Sequence, residues 1–269
     1  MRLVSWNIHG GVGTDGRRDL GRIAALLEDL RCDVAALQEV GDPRGSQVET
    51  DPRGSQVETG DPRGGEVADQ ASWLGRRLGW FVAYGPNLVL AGRPYGNAVL
   101  SRYPISHAHN YDLSVRGREP RGCLRADLAL PGGRSLHLFD LHLGLSGGER
   151  RRQAAMLLSA DLLRDAALTA PLVVCGDFNM WSPIPGPILR LLRTTLRDAA
   201  VEAGERRSTW PSALPLLRLD RAYVDDGVEV LASGVVNDPR TRAASDHLPL
   251  WVELEPRLQS GVAAGRAGA

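Results

Sequence analysis

Eight short runs rich in Val and Leu punctuate the chain, at 2–8, 33–38, 97–101, 123–130, 135–143, 172–175, 219–224 and 248–254. Each has the length and apolar content of a strand. Helical periodicity lies between some of them. Leu20, Ile23, Ala24, Leu27 and Leu30 share one face, as do Ala154, Leu157, Leu158 and Leu162, and a weaker segment over 68–78 ends near Gly79. Strands interleaved with helices restrict the architecture to α/β or α+β. No long linker divides the chain, so one domain over 1–256 is expected, followed by a disordered Gly/Ala-rich tail over 257–269.

One segment departs from this pattern. Residues 42–50 read DPRGSQVET, residues 51–59 repeat them, and a third copy begins at Gly60 and breaks off. The repeat is too short for a solenoid unit, and it holds no Leu, Ile or aromatic side chain to bury. A mobile surface insertion over 42–65 is expected.

Composition removes several functions. All 32 basic residues are Arg, so there is neither a phosphate-loop lysine nor a Schiff-base lysine. Cys32, Cys123 and Cys175 form no CxxC pair and sit beside apolar neighbours, which suits buried free thiols in a reducing compartment. No window is long and apolar enough for a membrane span, and a strand-like segment opens the chain. A cytoplasmic monomer without signal peptide or anchor is therefore expected.

Polar residues stand at the ends of the apolar runs, where layered α/β folds place active sites. They occur in Ser5-Trp6-Asn7, Leu37-Gln38-Glu39, Gly176-Asp177-Phe178-Asn179 and Ser245-Asp246-His247, with Asp140-Leu141-His142 inside one strand and Asp220 opening another. The set suits phosphate ester hydrolysis. Glu39, Asp246 and Asn7 offer oxygen ligands to a hard cation such as Mg²⁺. Asp177 is a candidate base for water, and Asn179, His142 and His247 can meet charge on phosphate oxygens. Each also has a plainer explanation, as a turn former, a solvated carboxylate or a core histidine.

Their order along the chain adds to this. Asn7, then Gln38-Glu39-Val40, Gly96-Asn97-Ala-Val-Leu-Ser-Arg102, His142, Gly176-Asp-Phe-Asn179, Asp220 and Ser245-Asp-His-Leu-Pro249 resemble the endonuclease/exonuclease/phosphatase superfamily over residues 2 to 254. The resemblance implies a four-layer α/β/β/α sandwich, with two mixed β-sheets packed face to face and helices outside. It implies a metal site at Glu39, Asn7 and Asp246, with Mg²⁺ or Mn²⁺. Asp177 matches the water-activating residue, Asn179 its phosphate-binding companion, His247 with Asp220 the histidine set against the scissile phosphate, and His142 a second phosphate-facing histidine. Asn97, Arg121 and Arg150 are further substrate-binding candidates. One departure stands out: the superfamily's deoxyribonuclease I pairs an acidic residue with the counterpart of His142, whereas the segment before Gly96 offers Tyr95 and no carboxylate.

The resemblance defines a reaction and leaves the substrate open. Formal net charge is zero. The stretch after Glu39 carries Asp42, Glu49, Asp51, Glu58, Asp61 and Glu66 against Arg44, Arg53 and Arg63, which would repel a long polyanion near the site. A small or lipid-derived phosphate ester is thereby favoured. A repair-type DNA nuclease is the alternative, and an inactive binding module is disfavoured because every central group is present.

Overall fold

The computed structural model describes residues 1–41, 70–90, 92–169, 171–181, 190 and 192–257. The repeat insertion expected over 42–65 and the tail from 258 lie outside these residues. Strands β1 (Arg2–Asn7), β2 (Val34–Gly41), β3 (Phe81–Leu90), β4 (Arg93–Ser101), β11 (Val228–Val235) and β12 (Leu250–Pro256) form one sheet in the order β11-β12-β1-β2-β4-β3. Strands β5 (Ile105–Asp112), β6 (Gly122–Leu130), β7 (Arg134–His142), β8 (Leu172–Asp177), β9 (Arg197–Asp198) and β10 (Asp220–Val224) form the other, in the order β5-β6-β7-β8-β10-β9. Each sheet is mixed. Its parallel pair, β1 with β2 or β7 with β8, requires a crossover, which contains α1 (Leu20–Asp29) in the first sheet and α3 (Gly147–Leu157) in the second.

Period-two alternation sorts the side chains into layers. Leu3, Ala36 and Val99 of the first sheet meet Leu124, Leu138, Val173 and Ala222 of the second in a shared inner core. The alternate residues Val4, Trp6 and Ala35 face outward against Ile23 and Leu27 of α1 and Leu74 of α2 (Gln70–Leu78). Phe139, Leu141 and Val174 do the same against Ala154 and Leu157 of α3. This is the expected four-layer sandwich. All three cysteines are buried and free.

Two sequence expectations are refined. The four strands not anticipated, β3, β5, β9 and β11, are the four sheet edges, where one-sided pairing tolerates polar residues, Pro and Gly. Helix α3 begins well before Ala154, because Ser146 accepts from the Glu149 amide while the Glu149 carboxylate reaches back to the Ser146 amide in a capping box. It ends at Leu157, and Leu158 and Leu162 are buried from the turns that follow.

A buried ion cluster pins β9 to β10. Arg218 grips Asp198 with two bonds of 2.9 and 2.6 Å, and Arg221 lies 3.6 Å away. Burial raises the Asp198 pKa, but the Arg218 bonds outweigh it and hold the carboxyl below its usual range. Asp198→Ala should lose about 3 kcal/mol in a denaturant titration at pH 7, because two nearly buried guanidinium groups lose their counter-ion. With a folded pKa below the unfolded one, the contribution is present above the unfolded pKa and vanishes as pH falls through the folded value, so the gap between variant and wild type closes in acid.

Candidate active site

The inward alternation that builds the core turns polar at one end of the sandwich. Leu3 and Ser5 lead to Asn7 on β1, Leu138 and Asp140 to His142 on β7, Val173 and Cys175 to Asp177 on β8, and Val224 and Ala222 back to Asp220 on β10. Side chains far apart in sequence therefore meet in a single cleft.

Glu39 is brought in by a bulge. On β2, Gln38 and Glu39 together oppose the single residue Asn97 of β4, and Glu39 takes φ +57°. An unbroken strand would turn Glu39 away from the inward-facing Gln38. Three of the four non-glycine residues with positive φ among the described residues are at this site, His9, Glu39 and Asn179, and such backbone strain is concentrated where geometry serves function.

Asp177 is the hub. Its Oδ2 accepts from Asn7 Nδ2 at 3.2 Å and lies 3.5 Å from His142 Nε2 and 3.7 Å from His247 Nε2. Burial pushes its pKa up to about 7, against the opposing charge of His247. His247 is also buried, which by itself would lower its pKa. The Asp220 carboxylate at 2.9 Å from Nδ1, with Asp177 and Asp246 nearby, outweighs this and raises it to about 10, so the ring is an imidazolium at neutral pH.

His142 is the opposite case. Burial first, then the charges of Arg121 and His247, hold its pKa well below the usual value. Arg121 Nη1 lies 3.3 Å from His142 Nδ1. A guanidinium has only donors, so Nδ1 is placed to accept, while Nε2 lies 3.5 Å from Asp177 Oδ2 and 3.0 Å from the Asn179 Nδ2 donor, so both ring nitrogens face an N–H group. The missing acidic partner of His142 is thus replaced by an arginine, and the ring is neutral. Asp140, two residues away, does not pair with it. Asp140 accepts from Gln38 Nε2 across the sandwich at 2.6 Å, and burial pushes its carboxyl well above the carboxylate range.

The remaining candidates divide. Asn179 does not continue β8; its amide N–H turns back to Asp177 Oδ1 at 2.8 Å from a left-handed backbone, while its side chain donates to Leu143 O at 2.8 Å. Asp246 is at the rim, with His9 Nδ1 3.0 Å from its Oδ1 and Trp210 Nε1 donating to Oδ2 at 3.4 Å. Its pKa is lowered despite burial, chiefly by His9. Asn97 is turned to the backbone, donating to Gly122 O and Asp140 O at 3.2 Å each. Arg150 is likewise committed to the carbonyls of Gly144 and Leu145. Sequence reasoning did not find His9 and Trp210, nor the part of Tyr95, which donates to Glu39 Oε2 at 2.6 Å. None lies in a patterned run, and only Tyr95 had a visible flag, its place just before Gly96.

The donor set fits a hard divalent cation. The carboxylates of Glu39 and Asp177 both accept from Asn7 Nδ2, at 2.9 and 3.2 Å, and the charge of Asp246 reaches His9 together with that of Glu39 and His247 together with that of Asp177. Asp177, Asp220 and His247 also bring ligand atoms within 4.8 Å of one another. That second cluster is closed by the His247–Asp220 bond and is buried, so the carboxylate side at Glu39 is the better match.

The chain belongs to the Endonuclease/Exonuclease/phosphatase family, whose profile matches residues 4–247, and it is an enzyme of the phosphoric ester hydrolase class that this family comprises. It is 34% identical over 259 residues to the uncharacterized protein YbhP of Escherichia coli K12, covering 94% of this chain and 96% of that one. Among solved structures, an endonuclease/exonuclease/phosphatase from Beutenbergia cavernae superposes with a TM-score of 0.73 at 23% identity, over 96% of this chain and 72% of that one. A mannosyl-6-phosphatase of Bacteroides thetaiotaomicron gives 0.70 at 18% identity, over 95% and 99%. These structural likenesses establish the shared fold. No helix among the described residues is long and apolar enough to cross a membrane.

Proposed function

We infer that the chain, as one domain over 1–256, is a divalent-cation-dependent phosphoesterase that cuts a small or lipid-derived phosphate ester by attack of water. The surroundings of Asp177 carry this reading: a buried carboxylate with a pKa of about 7 has a charged imidazole, a neutral imidazole, the Asn7 carboxamide and the Asn179 backbone N–H around it. A base of that pKa takes a proton from water at neutral pH. Attack forms the new P–O bond on the water oxygen, the water proton passes to Asp177, and the ester oxygen leaves with the electrons of the bond that breaks. Charge building on the phosphoryl oxygens meets the His247 imidazolium, held by Asp220, together with the His142 ring and the Asn179 amide beside it. Glu39, Asn7 and Asp246 would hold Mg²⁺ or Mn²⁺, which supplies Lewis-acid neutralisation of the phosphate and lowers the pKa of bound water.

A formal charge of zero favours a small ester over duplex DNA, and a mannosyl-6-phosphatase of the same fold points the same way. Turnover with Mg²⁺, with Mn²⁺ and with chelator, on bis(p-nitrophenyl) phosphate, sugar and inositol phosphates, phospholipids, plasmid DNA and an abasic oligonucleotide, tests this. The expected result is cation-dependent hydrolysis of small or lipid esters without nicking of plasmid. Turnover that survives chelation would remove the cation from the mechanism, and cation-dependent nicking would make the enzyme a nuclease.

A further inference from the structure

Beyond the Asp177 cleft, arginines gather where the turn that follows β5 meets the start of α3. Arg116, Arg118, Arg151 and Arg152 line a cavity of about 620 Å³ with Ser146 and Glu149. All four arginines are exposed, and none has a carboxylate partner among the described residues. A smaller cavity of about 260 Å³ shares Arg118, Ser146 and Glu149 with it and extends to Arg121. Arg121 is the residue against His142, so the smaller cavity adjoins the cleft and the larger one lies next to it.

The charge there is unlike that of the chain as a whole. Five arginines against two glutamates line the two cavities, a net of three positive charges on a molecule of formal charge zero. Glu119 is already paired with Arg121 at 3.0 Å, and Glu149 serves the capping box of α3. Arginines this close repel one another, and a bound anion relieves that repulsion. The helix start adds to the attraction. The amides of Gly147 and Gly148 have no intrahelical acceptor, and a Cβ on Gly147 would meet nothing within 4 Å, so an anion can approach the backbone closely. Arg121, with 8% of its side chain exposed and its Nε without a partner, completes the path on the cleft side.

We propose that this arginine-lined pocket holds a second phosphate group of the same small molecule whose ester is cut at Asp177, so that the substrates carry at least two phosphates. The proposal rests on the phosphoesterase reading for the first phosphate. A recess of this size, set in a chain whose formal charge is zero overall, suits one small anionic group better than a nucleic-acid strand, which needs a continuous basic track.

Calorimetric titration of the full chain with pyrophosphate in cation-free buffer tests it. Wild type should bind, more weakly as salt rises, and Arg118→Glu/Arg152→Glu should bind about tenfold or more weakly, because two charge-assisted contacts become repulsive. His247→Ala should retain most of the binding. Both changed arginines are exposed, and a melting curve verifies that the variant folds. Equal binding by the arginine variant and wild type, no binding by wild type, or loss confined to His247→Ala would each overturn the proposal. Turnover of bis(p-nitrophenyl) phosphate by wild type is measured separately. Absence of turnover of this probe and of every other ester named above would sink the phosphoesterase reading, whereas turnover without pyrophosphate binding would sink only the second-phosphate pocket.

Discussion

Asp177→Asn lowers turnover of a phosphate ester by about a thousandfold, the scale of a lost general base, and does not lower the melting temperature. The two halves of this expectation have one cause. Asp177 is 1% exposed, and burial raises its pKa to about 7 from the ordinary carboxylate value. A carboxyl whose folded pKa lies above its unfolded one contributes stability below the unfolded pKa and loses that contribution as pH rises through the folded value. Above pH 7 the ionised group therefore strains the fold, by on the order of a few kcal/mol at most. Asparagine keeps an oxygen for the Asn179 amide and removes the charge; its NH2 loses the bond that Oδ2 accepted from Asn7, a cost of about 1 kcal/mol that the relief of the buried charge exceeds. The variant should melt at least as high as wild type at pH 8, and the difference should shrink in acid.

Wild-type activity should fall on the acid side as Asp177 takes up its proton, around pH 7, and a bound cation beside it moves that limb lower. On the alkaline side it should fall near pH 10 as His247 loses its charge. The residual activity of Asp177→Asn should lack the acid limb. Near wild-type turnover in this variant would remove Asp177 from the mechanism, and a large drop in melting temperature would show that its charge supports the fold.

Gly176→Ala should be the most destructive single substitution in the catalytic box. Gly176 has φ +134°, and a Cβ built there would stand 1.9 Å from the Leu141 carbonyl oxygen on β7. That oxygen belongs to the backbone of the central parallel pair, so it cannot move aside without parting β7 from β8. A cost above about 4 kcal/mol follows, enough to lower the melting temperature by about 10 °C or to prevent accumulation of folded protein. Gly16→Ala is the matched control: φ is also positive, +73°, but nothing lies within 4 Å, so only the backbone preference is lost, about 1 kcal/mol. Comparable melting temperatures for the two variants would show that β7 and β8 can yield. The glycine of Gly-Asp-Phe-Asn thus serves strand approach, apart from the chemistry proposed for its neighbours.

What was legible in the sequence follows from how much each residue's pattern depends on its own segment. The eight runs recognised as strands are the eight that have a partner on both sides, where burial on two faces demands continuous Val and Leu. The edge strands β3, β5, β9 and β11 are paired on one side only, and sequences such as Ile105-Ser-His-Ala-His-Asn-Tyr-Asp112 carry no comparable apolar signal. Asn7, Glu39, His142, Asp177, Asp220 and His247 were legible because each sits at a strand end in a short motif of fixed order.

The states of these groups were decided by the tertiary structure. Nothing near His142 in sequence indicates that Arg121, from the loop before β6, occupies the place of an acidic partner and, after burial, helps to hold the ring neutral. The bulge that aims Glu39, the Tyr95 hydroxyl that fixes it and the His9 contact to Asp246 arise from pairing across strands and loops. Charge behaves likewise. A sum over the sequence gives zero, whereas folding places five arginines against two glutamates around two adjoining cavities beside the cleft. Side-chain alternation and motif order are local properties that a sequence carries openly. Protonation states and surface fields depend on distances between residues remote along the chain, and only the packed sheets set those distances.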